Sequence, residues 1–345
     1  MSRLLNLFTN LFPIWVLAGG GLALVHPPLF IWFRGPAIVW GLAVIMLGMG
    51  ITLSVDGDGV VTAVSGIPDV GTGAYTILKQ TVAEELGLPL EAVTVVRGDT
   101  STALFDAGIG GSKTTYSSTY SVFETTAALK TRLAELAAEK FECSTDDVIF
   151  EAGEFCVRGS PSRRLPLLDL GREAAASAGG RIVFEAQGPK GRPPQPCFVA
   201  NVVEVEVDPQ TGQLTIEKVF GVHDVGFAIN PQLLQAQIDG SVIQGVGFAT
   251  MEELATTEDG SVAVVNFGDY KIPTMADVPP LINELLPGAP GPGRYGAKAV
   301  GELGLTVLAP ALAGAVQQAI GVRITETPLL AERLWRALQG KSPSP

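Results

Sequence analysis

The sequence predicts a mixed α/β (α+β) fold that follows two apolar helices at the N-terminus. Three observations predict it: two long apolar runs open the chain, several later stretches have the composition of strands, and helical stretches are interspersed among them. Strands and helices mixed in this order usually build layered α/β or α+β domains. We therefore expect an N-terminal helical part, residues 1–54, and a larger layered domain, residues 55–340.

Two charge-free runs dominate the N-terminal part. Residues 11–24 and 36–53 are apolar and contain no charged side chain. The second run, and the first run with its continuation at residues 30–33, are near the length of about 17–25 residues that a helix needs to cross a membrane. A cleaved signal peptide is the alternative for the first run, but the second long run argues against it. These runs predict a two-helix membrane hairpin within residues 1–54.

The later elements follow from hydrophobic periodicity and turn residues. Asp56-Gly57-Asp58-Gly59 starts like a calcium loop, but the later oxygen ligands are missing, so a turn between strands is predicted. Runs rich in β-branched residues predict strands at residues 60–64, 93–96, 181–186, 198–207 and 214–222. Helical spacing predicts helices at residues 76–86, 117–141, 231–254 and 306–320.

Composition excludes two classes of function. The 345-residue chain has a net charge of −12 and no stretch rich in Lys or Arg, which argues against nucleic-acid binding. Its cysteines (Cys143, Cys156, Cys197) and histidines (His26, His223) lack the spacing of a zinc site or a disulfide framework. Any metal must therefore arrive already bound in an organic cofactor.

Three glycine-rich turns lie beside predicted strands or helices, at residues 69–76, 98–100 and 108–115. Backbone N–H groups at helix starts bind phosphate well, and the Ser, Thr and Lys side chains add donors. The third turn lacks the Gly-Lys-Ser/Thr order of a P-loop, and residues 291–296 match G-x-G-x-x-G without a preceding strand. Ordinary turn chemistry is the alternative for each turn taken alone.

A single carboxylate, Glu302, lies in the glycine-rich segment 296–304, just before the last predicted helix. Glycines on both sides let the backbone approach a large ligand closely. A carboxylate shielded from water takes up a proton more readily, which suits a general base. We expect Glu302 to have such water-poor surroundings; the alternative is a solvated residue at a helix start.

Several blocks carry a resemblance to a known family. They include Gly71-Thr72-Gly73, Gly98-Asp99-Thr100, Ser112-Lys113-Thr114 and the segment 296–302. Further blocks are at residues 204–208, 224–226, 230–231, 237–240, 244–245, 270–274 and 309–311. In this combination and order, residues 55–338 resemble the C-terminal half of the molybdenum-binding large subunit of the xanthine dehydrogenase/aldehyde oxidase family. The resemblance implies a molybdopterin-binding domain at 55–340 and a disordered tail at 341–345.

The resemblance also implies the chemistry. In that family a molybdenum ion held by a pterin dithiolene hydroxylates an aldehyde or an N-heterocycle with water as the oxygen source, and a glutamate is the general base. Glu302 matches that glutamate. The first three blocks resemble most closely the members that use molybdopterin cytosine dinucleotide. The positions implied to hold the cofactor are Gly71, Thr72, Gly73, Gln80, Asp99, Thr100, Gly111, Ser112, Lys113, Thr114, Gln244, Lys298 and Gly301.

The sequence departs from the family at two kinds of place. Asp239 stands where members usually have Glu, and Lys113 where Arg is common; a site built mainly from backbone groups tolerates both. The larger departure concerns the N-terminal half of the family's large subunit, which forms the other wall of the cofactor cleft. Residues 11–54 instead resemble the N-terminus of bile acid:sodium symporter family proteins, through Phe12-Pro13-Ile14-Trp15, His26-Pro27-Pro28 and the segment 44–53.

The leading interpretation is a truncated molybdenum hydroxylase large subunit that is inactive alone. Its implied partners are the iron–sulfur and FAD subunits of the family, together with a missing N-terminal large-subunit half. The rival interpretation is a membrane-anchored noncatalytic fusion or transporter-derived fragment, although two spans cannot enclose a transport site. The expected location is a bacterial inner membrane through residues 11–54, or the cytoplasm if the hairpin does not insert.

Overall fold

A computed structural model describes residues 50–99, 108–187, 196–286, 288, 290–291 and 293–340. The predicted first apolar run, most of the second and the tail at 341–345 lie outside these residues, as does the predicted site residue Thr100. The strands are β1 (Gly50–Asp56), β2 (Val61–Ser65), β3 (Val93–Arg97), β4 (Val148–Glu151), β5 (Glu154–Val157), β6 (Ser160–Pro166), β7 (Arg181–Gln187), β8 (Val199–Val207), β9 (Leu214–Asp224) and β10 (Leu281–Leu286). The helices are α1 (Ala74–Leu86), α2 (Thr114–Phe141), α3 (Leu167–Ser177), α4 (Pro231–Thr250), α5 (Leu303–Ile320) and α6 (Ala331–Leu338).

The N-terminal lobe, residues 50–187, is a four-stranded sheet covered by helices. Its strand order is β3-β2-β1-β7, with β1 antiparallel to both neighbours and β2 parallel to β3. Helices α1, α2 and α3 pack against this sheet around the buried residues Leu53, Leu78, Leu129 and Leu170. A small antiparallel sheet, β4-β5-β6, completes the lobe. The long helix α2 therefore has its C-terminal part in a large apolar core, which fixes the direction of its N-terminus.

Strand β1 corrects the predicted end of the second apolar run. Residues 50–53 were expected to belong to a membrane helix, but they form the start of β1, which lies between β2 and β7. Residues 51–55 are all buried, so both faces of the strand are covered. A strand buried on both faces reads as a continuous apolar run, and by composition alone it looks the same as the end of a membrane helix.

The C-terminal lobe, residues 196–340, contains the second core. Strands β10, β9 and β8 form a sheet in that order, in which β10 and β9 are parallel and β8 is antiparallel to β9. Helices α4 and α5 cover one face of the sheet around Val219, Val242, Leu308 and Leu312. Side chains along β8 alternate between half-buried and exposed, as expected for a sheet covered on one face.

The predicted elements of the layered domain are largely confirmed. Helix α1 ends at Gly87, whose left-handed backbone (φ 59°) closes the helix through hydrogen bonds to Ala83 and Glu84. Helix α2 starts three residues earlier than the predicted residue 117, since it begins at Thr114, and α4 ends at Thr250 rather than 254. Helix α3, strands β4, β5, β6 and β10, and helix α6 were not predicted from the sequence.

Within the described residues, α5 is long and apolar enough to cross a membrane. It does not coincide with the predicted hairpin. Leu308, Leu312 and Val316 on this helix are fully buried against the C-terminal sheet and α4. These contacts pack one face of α5 into the core of the lobe, and a single helix that passes this test of length and composition is weak evidence for a membrane span.

Candidate functional site

A cavity of about 130 Å³ lies where the two lobes meet. The N-terminal lobe contributes the turn before α1 and the turn before α2; the C-terminal lobe contributes the segment between β9 and α4 and the segment before α5. The lining residues are Thr72, Ala74, Ile77, Ile109, Ser112, Thr114, Thr115, Val225, Phe227, Ala228, Ile229, Asn230, Leu233, Leu234, Gln237, Ala297, Lys298, Val300 and Gly301. Segments far apart in the sequence thus converge on one small volume.

The turn before α1 is organised by Asp69. One carboxylate oxygen of Asp69 accepts hydrogen bonds from the backbone N–H groups of Gly71 (3.1 Å) and Gly73 (3.2 Å), and the other accepts from Tyr75 (3.3 Å). Gly71 and Gly73 have φ values of 96° and 75°, which favour glycine. The turn directs Thr72 into the cavity, where its buried hydroxyl has no hydrogen-bond partner among the described residues.

The turn before α2 presents a second unpartnered hydroxyl. Thr114, the first residue of α2, lines the cavity, and its buried hydroxyl has no partner within the described part of the chain. Lys113, just before it, is buried with 6% exposure. Gly111 has a φ of 61°, and no atom lies within 4 Å of the position that a side chain would take. The backbone of this turn is therefore open at Gly111, three residues before the helix starts.

Asn230 joins the two lobes at the start of α4. Its side-chain oxygen accepts a hydrogen bond from the Leu233 backbone (3.0 Å), and so caps the helix. Its side-chain nitrogen donates to the Gln80 side chain on α1 (3.1 Å). Gln80, a predicted cofactor residue, therefore contacts the cavity wall through Asn230 and lines a neighbouring surface cavity instead.

The segment before α5 forms the third wall. Gly226 and Ala297 form an isolated antiparallel bridge, which joins this segment to the end of β9. Lys298 lines the cavity, and its ammonium lies 2.6 Å from a carboxylate oxygen of Asp224. Gly301 packs directly on the Ser112 side chain, so the third wall closes against the turn before α2.

Glu302 corrects one sequence expectation. Its side chain is exposed, at the N-cap of α5, and makes no capping hydrogen bond. Among the described residues, none shields the Glu302 carboxylate from water, so the water-poor surroundings expected from the sequence are not found. Gly301 and Gly304 are too small to screen the side chain. Gly301 lines the cavity, so the backbone next to Glu302 borders it while the carboxylate remains open to solvent.

The other predicted site residues divide into three groups: those that line the cavity, those in the turns beside it, and those away from it. Thr72, Ser112, Thr114, Lys298 and Gly301 line the cavity, and Gly71, Gly73, Gly111 and Lys113 belong to the turns that carry lining residues. Asp99 and Gln244 are exposed and do not line it. Sequence reasoning did not select Asn230, Gln237 or Phe227 as site residues. The Asn-Pro pair at 230–231 was a usable signal, since Asn is a preferred N-cap and Pro a preferred first helical residue.

Burial is the main cause of the pKa shifts of two groups near the cavity, Cys197 and Tyr116. Burial raises the pKa of the Cys197 thiol, although the Ala299 backbone and Lys298 oppose the change. Burial also raises the pKa of Tyr116, on the first turn of α2, with a smaller contribution from Cys197. Both groups are therefore neutral at neutral pH, and the charged side chains beside the cavity include Lys113, Lys298 and Asp224.

The fold and the cavity are those of a two-lobed α/β protein with a candidate ligand site between its lobes. The chain belongs to the family described as "Molybdopterin cofactor-binding domain", whose model matches residues 21–279. The match confirms the family expected from the sequence blocks. It begins at residue 21, inside the segment that was predicted to be a membrane hairpin, and the symporter resemblance of that segment has no support among the matches.

Two curated relatives illustrate the similarity. The chain is 30% identical over 305 residues to the nicotine 6-hydroxylase large subunit of Paenarthrobacter nicotinovorans, which covers 84% of this chain and 36% of that protein. It is 33% identical over 291 residues to the aldehyde oxidoreductase molybdenum-binding subunit PaoC of Escherichia coli, with 83% and 38% covered. The chain thus spans well under half the length of these relatives.

Solved structures support the fold. Quinoline 2-oxidoreductase from Pseudomonas putida has a TM-score of 0.76 at 24% identity, over 86% of this chain and 39% of that chain. CO dehydrogenase from Oligotropha carboxidovorans has a TM-score of 0.78 at 24% identity, over 85% of this chain and 37% of that chain. At this identity the likeness concerns the fold of the two lobes and the arrangement of their elements.

Proposed function

We propose that this chain binds molybdopterin with its molybdenum in the cavity between the two lobes, and that it acts as the molybdenum-binding part of a hydroxylase large subunit. The observation that carries the proposal is that Thr72 and Thr114 line one cavity and have buried hydroxyls without a partner among the described residues. A buried hydroxyl without a partner costs about 1–3 kcal/mol, so both are poised to bind a polar ligand. Family membership identifies that ligand as the pterin cofactor.

The residues present fit such a cofactor. Gly71, Gly108, Gly110 and Gly111 have no atom within 4 Å of the position of an added β-carbon, so a ligand can approach their backbone. The cavity wall combines apolar side chains with a few polar groups, which is typical of cofactor sites. The volume of about 130 Å³ suits part of the cofactor, and the open glycine turns would hold the remainder.

The start of α2 would bind the phosphate part of the cofactor. The first N–H groups of this 28-residue helix have no partner within the helix itself, and the helix dipole favours negative charge there. Lys113 adds a buried positive charge at the same place. This arrangement suits the phosphate of molybdopterin or the pyrophosphate of a dinucleotide form. The cytosine dinucleotide form is proposed from the resemblance of the sequence blocks.

Glu302 is proposed as the general base of the complete enzyme. When bound, the molybdenum cofactor supplies a water-derived oxygen and accepts electrons from the substrate. Glu302 lies at the N-cap of α5, next to the cavity-lining Gly301, so its exposed carboxylate would accept a proton from a group bound beside that segment. Its present exposure leaves room for a further protein wall to shield it.

The role of Glu302 is tested by Glu302→Gln in a complex reconstituted with the partner subunits and a polypeptide equivalent to the unmatched part of the relatives. Removal of a positioned base lowers turnover by about 10²–10⁴-fold, with molybdenum content unchanged. The matched control is Glu326→Gln, at another exposed glutamate, which should retain full turnover. Equal turnover of the Glu302 variant and the parent would exclude a general-base role.

Substrate and partners are proposed from the relatives. The names of the relatives indicate oxidation of N-heterocycles and aldehydes, so an aldehyde or N-heterocycle is the proposed substrate class. Those relatives are subunits of larger complexes, which supports iron–sulfur and FAD subunits as the partners that would carry electrons away. Since this chain spans 36% to 39% of the relatives' length, we propose that it needs further polypeptide for turnover.

The cofactor proposal is tested by Thr72→Val with Thr114→Val in the full chain. Valine keeps the shape of threonine, so the fold should be retained, while the molybdopterin content of the purified protein should fall sharply. Thr52→Val is the matched control, because Thr52 is also buried and unpartnered but lies in β1, away from the cavity. Unchanged molybdopterin content in the double variant would contradict the proposed site.

A further inference from the structure

Asp224 and Lys298 form a buried ion pair beside the cavity. The ammonium of Lys298 lies 2.6 Å from a carboxylate oxygen of Asp224, and the two side chains are only 5% and 9% exposed. Removing two charges from water is expensive, and a buried pair often stabilises a fold no better than apolar residues of similar size. The second carboxylate oxygen of Asp224 is also buried, with no partner in the described part of the chain. Stability alone therefore gives no reason for this pair.

The pair links two segments that carry the site. Asp224 ends β9, just before the cavity residues Val225 and Phe227, and Lys298 lies four residues before Glu302. Backbone contacts run in parallel with the ion pair: the Lys298 N–H donates to the Val225 carbonyl (3.0 Å), and the Phe227 N–H donates to the Gly296 carbonyl (3.1 Å). The ion pair and these backbone hydrogen bonds together connect the end of β9 to the segment before α5.

The surroundings of Lys298 hold its side chain in one path. A β-carbon added at Gly226 would lie 3.1 Å from Lys298 Cγ, and one added at Gly291 would lie 2.6 Å from it. Glycines on two sides thus leave a slot that is just wide enough for the lysine stem. The end of the slot is Asp224, so the lysine cannot turn its ammonium elsewhere without leaving a buried carboxylate unpaired.

We propose that Asp224 and Lys298 are positioning residues, which set the place of Gly301 and Glu302 against the start of α2. The inference deepens the proposed function, on which its cofactor readout rests. It also changes the role expected for Lys298 from the sequence: the ammonium is committed to Asp224, and the lysine acts on the cofactor through the segment that it holds. Gly301 transmits this position directly, since it packs on Ser112 in the turn before α2.

Three variants of the full chain test the proposal: Lys298→Met, Asp224→Asn, and the double replacement Asp224→Leu with Lys298→Met. Each is compared by thermal unfolding, by hydrogen exchange at the amides of residues 299–304, and by molybdopterin content. The matched control is Lys140→Met with Glu173→Leu, which removes an exposed pair of similar length (2.7 Å) in the N-terminal lobe. Because the single variants leave a buried group unpaired and can fail to fold, the double variant is decisive.

The double variant should regain most of the thermal stability that either single variant loses, because apolar residues replace both charges. Exchange at residues 299–304 should nevertheless be faster than in the parent, on the order of tenfold, and molybdopterin content should fall. The control pair should change neither. Parent-like exchange at 299–304 in the double variant would overturn the positioning role. If the parent itself carried no molybdopterin, the proposed function would fail, while the exchange measurement would still decide this inference.

Discussion

Gly301 packs so closely on Ser112 that a β-carbon added to the glycine would overlap the serine hydroxyl. The contact joins the segment before α5 to the turn before α2, and both residues line the cavity. Gly301 has a φ of 23° and Ser112 a φ of 54°, so both backbones adopt conformations that most residues avoid. Together with the hydrogen bond between Asn230 and Gln80, this contact joins the two lobes at the cavity.

Replacing Gly301 with alanine should therefore loosen the site. Overpacking of this kind typically lowers the free energy of unfolding by about 1–3 kcal/mol, and the two walls should separate enough to reduce molybdopterin content. The matched control is Gly314→Ala, in an exposed part of α5 with no atom within 4 Å of the added carbon. That change should raise stability by about 0.5–1 kcal/mol. Urea unfolding measures the free energy of unfolding of both variants. Equal values for the two variants would contradict the close packing of Gly301 on Ser112.

Replacing Gly111 with valine separates backbone strain from ligand blocking. Gly111 has a φ of 61° and open space around it, so valine should cost about 1–2 kcal/mol through strain alone. Gly179→Val is the control, because Gly179 has a φ of 88° and equally open surroundings far along the N-terminal lobe. Both variants should lose similar stability, but only the Gly111 variant should lose molybdopterin. Equal molybdopterin content in the two variants would show that Gly111 shapes the turn and does not contact the cofactor.

The position of β1 predicts where the layered domain begins. A shortened chain that starts at Met49 keeps all of β1 and should fold, whereas one that starts at Val55 lacks five of its residues, 50–54. Since β1 is the strand between β2 and β7, its loss should open the N-terminal sheet. The membrane hairpin predicted within residues 1–54 stays a prediction: if it inserts, the full chain should remain with membranes through a carbonate wash, while the Met49 chain should be soluble. Cooperative unfolding of the Val55 chain, by circular dichroism, would contradict the role of β1.

His223 should make the stability of the C-terminal lobe sensitive to mild acid. Burial lowers its pKa below the ordinary value of 6.5, against smaller opposing effects of Asn283 and Asp239. The unfolded chain then binds more protons than the folded chain just below pH 6.5, so the free energy of unfolding falls as pH is lowered, by at most about 1.4 kcal/mol per pH unit. His223→Gln should flatten this dependence between pH 5.5 and 7, measured by urea unfolding. An unchanged slope in the variant would show that other groups cause it.

Much of the layered domain was predictable because its elements have local signals. Gly87 ends α1 with the left-handed backbone that glycine supplies, and the turn at 56–59 joins β1 and β2 through hydrogen bonds to the Asp56 carboxylate. Strand β1 was missed in part because burial on both faces removes the alternation that identifies a strand. Its first residues therefore looked like a continuation of the preceding apolar run.

The site was predictable at its turns and less so in its contacts. Glycine, serine and threonine spacing identified the turns that carry Thr72 and Thr114, and both line the cavity. The hydrogen bond between Gln80 and Asn230 joins residues 150 positions apart, and no periodicity in one sequence reveals such a pair. The exposure of Glu302 was missed because small neighbours were read as shielding, although they lack the atoms to exclude water.

The most direct test of the account is the molybdenum and pterin content of the full chain. The protein would be produced in a bacterial host that makes the dinucleotide cofactor and, in parallel, in one that lacks pterin synthesis. We expect close to one molybdenum and one pterin per chain from the first host and neither from the second. A correctly folded chain that carries no pterin from the first host, while a full-length relative made there is loaded, would contradict the central claim that this cavity holds the cofactor.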